Sequence, residues 1–508
     1  MVTIKIDWAV QGLQFPTRSQ IVSHMNRLNQ NRPRAVASSI LWLATLLSVP
    51  AQTNTRPVFL AGAAVANITP WMGISINGNM TDHKGANVHD QLHARALVLD
   101  DGGARLAIVV TDSCMIYREI FDAAKKLIHG RTGMPTENIL MSATHTHSAP
   151  AAASVFQSEA DVEYQHFLTL RLADAVQQAV ANLAPAQISW GAGREPRHVF
   201  NRRWQMKPGV VIKDVWGNTN DFVRMNPPPG SPDLLEPAGP VDPEVPVLAV
   251  RAPDGKPIAL LANYSTHYCG GVPGRTYSAD YCGAFCDRVQ QLLGADRQDP
   301  PFVAIMSNGT SGDCNSINFR EPPKAEAPYA KIRTVANDMA EVALTAYRRI
   351  AWRDRVELKA AQKEIQLGVR KASAEELATA RGILAKATMR DGQYAGWGPD
   401  VYAREWVLLD AFPDRVPVII QTLKIGDLGI AAIPCEVFAE IGLEIKNRSP
   451  FKPSFTIELA NGYNGYLPTP AQHKLGGYET WRARSSYLEV DASQKILETV
   501  MELFGQVK

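Results

Sequence analysis

The chain reads as a mixed α/β protein, and three features of its sequence say so. Short runs rich in Val, Ile and Leu alternate with longer segments of helical period. One stretch, residues 105–142, orders them strand, helix, strand, the unit from which α/β sheets are built. The composition, 45% hydrophobic and 20% charged over 508 residues, is that of a globular chain with a sizeable core. At roughly 150 residues per domain this is about three domain equivalents, or one large catalytic domain with long loops.

Taken in order, residues 105–111 (RLAIVVT) predict a buried strand, 119–129 a helix and 138–142 (NILMS) a second strand. Further helices are expected over 162–181, 279–293, 332–350, 374–387, 437–446 and 492–503. Further strands are expected over 245–251, 257–263, 301–306, 416–425, 428–433 and 454–459. Residues 226–243 (NPPPGSPDLLEPAGPVDP) are Pro-rich and without period, a long loop or an excursion. No internal repeat or low-complexity tract is visible. Lys plus Arg at 52 against Asp plus Glu at 50 gives a net charge of +2, with no basic block to track phosphates, so nucleic acid is not an expected partner. Six cysteines form no Cys-x-x-Cys pair and permit disulfides without demanding them.

The N-terminus has the layout of a signal peptide. Arg27, Arg32 and Arg34 precede an apolar run over 35–49, followed by Val49-Pro50-Ala51 with small residues at a cleavage site. The core of the run, 40–49, is too short for a span, which needs about 20 apolar residues. Residues 1–51 are therefore expected to be a targeting segment, with Met25 the suspected true start, and residues 52–508 one large domain, secreted or periplasmic. No second run of 18 apolar residues follows, so no stable membrane span is expected in the mature chain.

Polar residues able to hold a metal collect at the ends of several expected strands, where a sheet presents side chains to a loop-built cleft. His145-Thr146-His147 follows the strand NILMS, and alternation along an extended segment would put both rings on one side. His267 stands just past the strand over 257–261, Glu436 in Ile433-Pro434-Cys435-Glu436 at the start of a helix, and Tyr466 closes the turn Asn461-Gly462-Tyr463-Asn464-Gly465-Tyr466. Two histidines and a carboxylate with an open position are what a catalytic zinc requires. Each residue also has a plainer reading: a hydrogen-bonded structural histidine, a carboxylate favoured by a helix N-terminus, a rim tyrosine. Their spacing matches no short zinc motif, so spacing alone does not join them.

Together these segments resemble the neutral/alkaline non-lysosomal ceramidase family over roughly residue 61 to the C-terminus. The resemblance is carried by residues 61–70 (AGAAVANITP), 88–97 (VHDQLHARAL) and 144–148 (THTHS). It continues through Asn201-Arg202, His267, Pro434-Cys435-Glu436, the tyrosines Tyr463 and Tyr466, and Tyr478-Glu479. It implies a zinc-dependent amidase acting on a linear N-acyl amide such as ceramide. It further implies that His145, His267, Glu436 and Tyr466 hold Zn2+, that Arg202 and Tyr478 line the amide site, and that His147 stands beside the metal. An imidazole two residues from a ligand is placed for proton exchange, and tyrosine and arginine donors suit a developing oxyanion.

The sequence departs from the family at two places. The family's GDxSPN motif is here Gly312-Asp313-Cys314-Asn315-Ser316-Ile317-Asn318, so no serine role carries over to Asn315, while Asp313 can still orient a ligand or substrate group. The chain stops at Lys508, soon after an expected helix, and no C-terminal β-sandwich domain is expected. Two other readings stay open. One is a metallophosphoesterase, which also uses His, Asp and Asn at strand ends, although no GNHD or GNHE segment occurs. The other is a non-catalytic exported module with a structural zinc. Oligomeric state is not legible.

Overall fold

The structure, a computed structural model, describes residues 58–394 and 396–508. The targeting segment expected over residues 1–51 lies outside the described residues. One five-stranded and two four-stranded β-sheets organise the chain, and four strands of each are built in the same order. In the first, Leu60–Asn67, His93–Asp100 and Arg105–Thr111 pair antiparallel in succession; the helix Arg118–Thr132 then crosses over to Ile139–Ala143, which pairs parallel to Arg105–Thr111. The helix Val162–Ala181 follows. A two-residue strand, Ala184–Pro185, adds to the far edge.

The second sheet repeats the pattern with Gln187–Arg194, Glu244–Arg251, Pro257–Tyr264, the helix Asp280–Leu292, the parallel strand Val303–Asn308 and the helix Ala330–Tyr347. The third does so with Leu358–Gly368, Arg415–Ile425, Leu428–Ile433, the helix Ala439–Arg448, the parallel strand Ser454–Glu458 and the helix Ala492–Val507. The expectation of no internal repeat is therefore corrected. The repeat lies in topology, because a βββαβ unit needs only apolar strands and an amphipathic crossover, which many unrelated sequences supply.

The period-2 alternation of strand side chains sets the layers. Leu97, Ile108 and Leu140 of the first sheet, Leu248, Leu261 and Ile305 of the second, and Leu423, Ile430 and Ile457 of the third point inward to one shared core. Their neighbours point outward onto each unit's own two helices: Val109 against Phe121 and Leu172, Ala262 against Phe285 and Met339, Ile433 against Ile441 and Ile496. Strands buried on both faces read as unbroken apolar runs, which is why 105–111 and 428–433 were legible.

Four of the long strands in these three sheets escaped the sequence reading. Leu60–Asn67 (LAGAAVAN) and Gln187–Arg194 (QISWGAGR) are rich in Ala and Gly, His93–Asp100 begins on charged residues, and Leu358–Gly368 (LKAAQKEIQLG) is an edge strand with a charged outer side. The Pro-rich segment is an excursion: Val223–Met225 and Leu234–Pro237 flank Arg203–Met206 in a small sheet. Among the described residues no helix is long and apolar enough to cross a membrane, and all six cysteines are free thiols.

Candidate metal centre

In a sheet with parallel strands, sites form beyond the strands' carboxyl ends, where the connections diverge. Here each repeated unit delivers one group to the same spot. His145 lies two residues past Ala143, His267 three past Tyr264 and Glu436 three past Ile433. Their ligand atoms all fall within 4.8 Å of one another, at 1%, 1% and 2% exposure. Glu436 Oε2 stands 3.3 Å from His145 Nε2 and 3.4 Å from His267 Nε2.

The local backbone explains how the three converge. His145 and His147 do meet, Nε2 to Nε2 at 3.1 Å, although not by strand alternation. The strand has ended at Ala143, and His145 takes a left-handed φ of 65°, a conformation costly for a non-glycine residue and concentrated at functional sites. The His145 N–H donates to Ser113 O at 2.8 Å, which holds the turn. Glu436 does not open a helix as the sequence suggested. It forms a two-residue strand with Val437, parallel to Tyr466–Leu467, and the helix begins only at Ala439. Two glycines permit the close packing: a Cβ on Gly78 would stand 2.3 Å from the His147 ring, and one on Gly312 would stand 2.5 Å from Glu436 O.

The second layer of contacts prepares the imidazoles as ligands. His145 Nδ1 faces Cys114 O at 3.0 Å and His267 Nδ1 faces Ser311 O at 2.6 Å, so each Nδ1–H donates to a carbonyl and each Nε2 keeps a lone pair toward the centre. Glu436 Oε1 accepts from Tyr463 Oη at 3.0 Å, while Oε2 is buried with no hydrogen-bond donor. Three electron-rich atoms facing one another in a dry site need a cation among them. This donor set fits a divalent ion that accepts nitrogen and oxygen ligands. Burial opposes charge on both members of the His145–Glu436 pair. The attraction of His145 nevertheless holds the Glu436 carboxyl well below its usual range, so it faces the imidazoles as a carboxylate.

His147 is different. Its Nδ1 is buried without a partner, its ring stacks on Tyr268 at 3.9 Å, and burial followed by the neighbouring His145 and His267 keeps its pKa well below the usual value. No carbonyl fixes its tautomer. Arg202 Nε donates to Glu479 Oε1 at 2.9 Å, and Arg202 Nη1 lies 3.0 Å from His267 Nε2. Its Nη2 is buried and unpartnered. The Arg202 guanidinium lies 5.3 Å over the Tyr466 ring, which in turn lies 5.7 Å from that of Tyr478. Asp313 stands behind the centre: Oδ1 accepts from the Ala439 N–H at 2.8 Å and Oδ2 from Asn201 at 2.7 Å. Burial raises its pKa to about 6.

Several participants had no assigned role in the sequence reading. Tyr463 steadies Glu436, and Glu479, fully buried, binds both Arg202 and Arg203. The tyrosine pair and the Tyr-Glu dipeptide were the signal, but which partner each met was not readable. A further cluster, Glu195, His198 and Asp338, also lies close enough for an ion. The Arg197 guanidinium pairs with both carboxylates, so this group is a charge-balanced network.

A mixed α/β fold with a buried His/His/Glu group able to hold a metal ion defines a candidate metallohydrolase. Residues 59–206 match the family described as neutral/alkaline non-lysosomal ceramidase, N-terminal. Neutral ceramidase A of Dictyostelium discoideum is 39% identical over 267 residues, 50% of this chain and 34% of that protein. Neutral ceramidase B of the same organism is 26% identical over 284 residues, 51% and 36% respectively. The crystal structure of neutral ceramidase from Pseudomonas aeruginosa superposes with a TM-score of 0.66 at 16% identity, covering 89% of this chain and 74% of that one. The chain thus resembles the neutral/alkaline non-lysosomal ceramidase family over residues 59–206 and shares the fold of the neutral ceramidase structure. The matched stretches span about a third of the length of the curated relatives.

Proposed function

We propose that the chain is a zinc-dependent hydrolase of linear N-acyl amides of the ceramide type, yielding a fatty acid and an amine. The observation that carries this reading is the convergence of His145 Nε2, His267 Nε2 and the unpartnered Glu436 Oε2 in one dry pocket, beside unengaged donors. The family supports the same chemistry, since the relatives' names are those of ceramidases. His145, His267 and Glu436 would hold the ion with Tyr466 as the fourth group, and the ion supplies Lewis acidity that brings a water's pKa to about 7. His147, neutral and free at Nδ1, takes a proton from the attacking water and returns one to the leaving nitrogen. Arg202, oriented by Glu479, and the Tyr478 hydroxyl offer N–H and O–H donors to the carbonyl oxygen as charge builds there. Asp313 acts as a positioning residue through the Ala439 N–H.

The test is metal analysis joined to turnover of N-acyl amides. His145→Ala and His267→Ala are each expected to lose zinc and activity together. Stoichiometric zinc in both variants would remove them from the ligand set. We further propose export, with cleavage after Ala51; N-terminal sequencing of the mature protein should begin near Gln52, and an intact Met1 on cytoplasmic protein refutes it.

A further inference from the structure

A cavity of about 560 Å3 opens against the outer side of Tyr478, a size suited to a small amphiphile. Val211, Ile212, Met225, Trp397 and Trp481 give it apolar walls, and Trp397 and Val211 are 58% and 67% exposed. The Trp397 ring lies 5.0 Å from that of Tyr478, so the apolar wall runs up to the proposed amide site.

The same cavity is lined by Lys213 and Arg224, and among the described residues neither side chain makes an ion pair or hydrogen bond. Asn226, also on the wall, takes a left-handed φ of 45° and accepts at Oδ1 from Asn315 at 2.9 Å; its Nδ2 has no protein acceptor among the described residues. The acids nearby are engaged elsewhere. Asp221 accepts from Trp481 Nε1 at 2.9 Å, and Asp214 is folded into its own turn, accepting from the N–H groups of Trp216 and Asn218. Both cations are exposed, and an anionic head group would pair with them where a neutral one finds no charge partner.

Resting on the amide-hydrolase reading, we propose that the substrate is an anionic N-acyl amide, whose hydrocarbon lies on the Trp397–Trp481 wall and whose anion sits between Lys213 and Arg224. The reaction is RCO–NHR′ + H2O → RCOO⁻ + R′NH3⁺: the C–N bond breaks, a C–O bond forms, and the protons of water pass to the amine. A carboxylate, as on an N-acyl amino acid, and a phosphate, as on a phosphorylated sphingoid amide, share this chemistry.

The test uses the zinc-loaded full chain and two amides that differ in the anion, N-lauroylglycine and N-lauroylethanolamine, with ceramide and ceramide 1-phosphate as the phosphate arm. The glycine amide or the phosphate is expected to exceed its neutral counterpart about tenfold in kcat/KM, the effect of two exposed ion pairs. That ratio should fall toward one in the double variant Lys213→Gln/Arg224→Gln and at high salt. Equal or better use of the neutral amides, or a preference that survives the double variant, overturns the proposal and leaves the amidase reading standing. If no amide is cleaved, the amidase reading fails. Calorimetric binding of the same pairs then decides the anion site: a tenfold ratio lost in the double variant supports it, and no ratio refutes it.

Discussion

His147 and His145 are neighbours in space and differ in what holds them. The His145 ring is fixed by a carbonyl at Nδ1 and faces Glu436, whereas the His147 ring stacks on Tyr268, packs against Gly78 and meets His145 at Nε2, with no carbonyl at its Nδ1. A ligand needs the first arrangement and a proton carrier tolerates the second. His147→Ala is therefore expected to keep its zinc and lose about 10² to 10⁴ in kcat, and Tyr478→Phe about 10² to 10³ for a missing oxyanion donor. Zinc content and melting temperature, measured beside kcat, check both. If His147→Ala loses the metal instead, the two imidazoles have exchanged roles.

At the scale of the elements, Asp313 ties the second unit to the third. Its carboxylate accepts the first free N–H of the helix Ala439–Arg448, just beyond Glu436, and Gly312 packs against the Glu436 carbonyl. Removing the carboxylate leaves the Ala439 N–H buried and unpaired and the Asn201 amide with only Pro240 O to donate to, a cost of about 1 to 3 kcal/mol. Asp313→Ala should lower the denaturant midpoint accordingly and weaken zinc affinity, with kcat per bound zinc nearly unchanged. A stable variant that has lost kcat a thousandfold would return Asp313 to direct catalysis. The two-residue strand Glu436–Val437 shows why this link was hidden. Its pairing partner, Tyr466–Leu467, lies thirty residues on, and no local pattern announces it.

For the whole molecule, pH links burial to stability. His473 is held at about 3, burial being the main cause and Arg370 and Arg203 adding to it, against 6.5 when unfolded. The unfolded chain therefore binds a proton that the folded protein refuses between those values. The contribution of neutral His473 to stability is full above about pH 6.5 and is lost as pH falls from there toward 3. His473→Gln is expected to lose less melting temperature than the natural chain between pH 7 and pH 4. A variant more acid-labile than the natural chain would mean that folded His473 is protonated.

By itself the sequence determined the α/β class, most strands of the second and third sheets, the crossover helices, and the residue types gathered at strand ends. These are set by local periodicity and by burial on both faces, and both are written into short windows. The resemblance named the remaining candidates, yet it left each ligand with a plainer alternative. Only the tertiary structure decided that three βββαβ units share one core and deliver His145, His267 and Glu436 to one point, because separations of more than a hundred residues between ligands leave no local trace. It also decided that a left-handed turn and not strand alternation aims His145, and that Lys213 and Arg224 face the cavity beside Tyr478. Close packing at Gly78 and Gly312 and the unshared atoms of Glu436 and Arg202 exist only once the units have met.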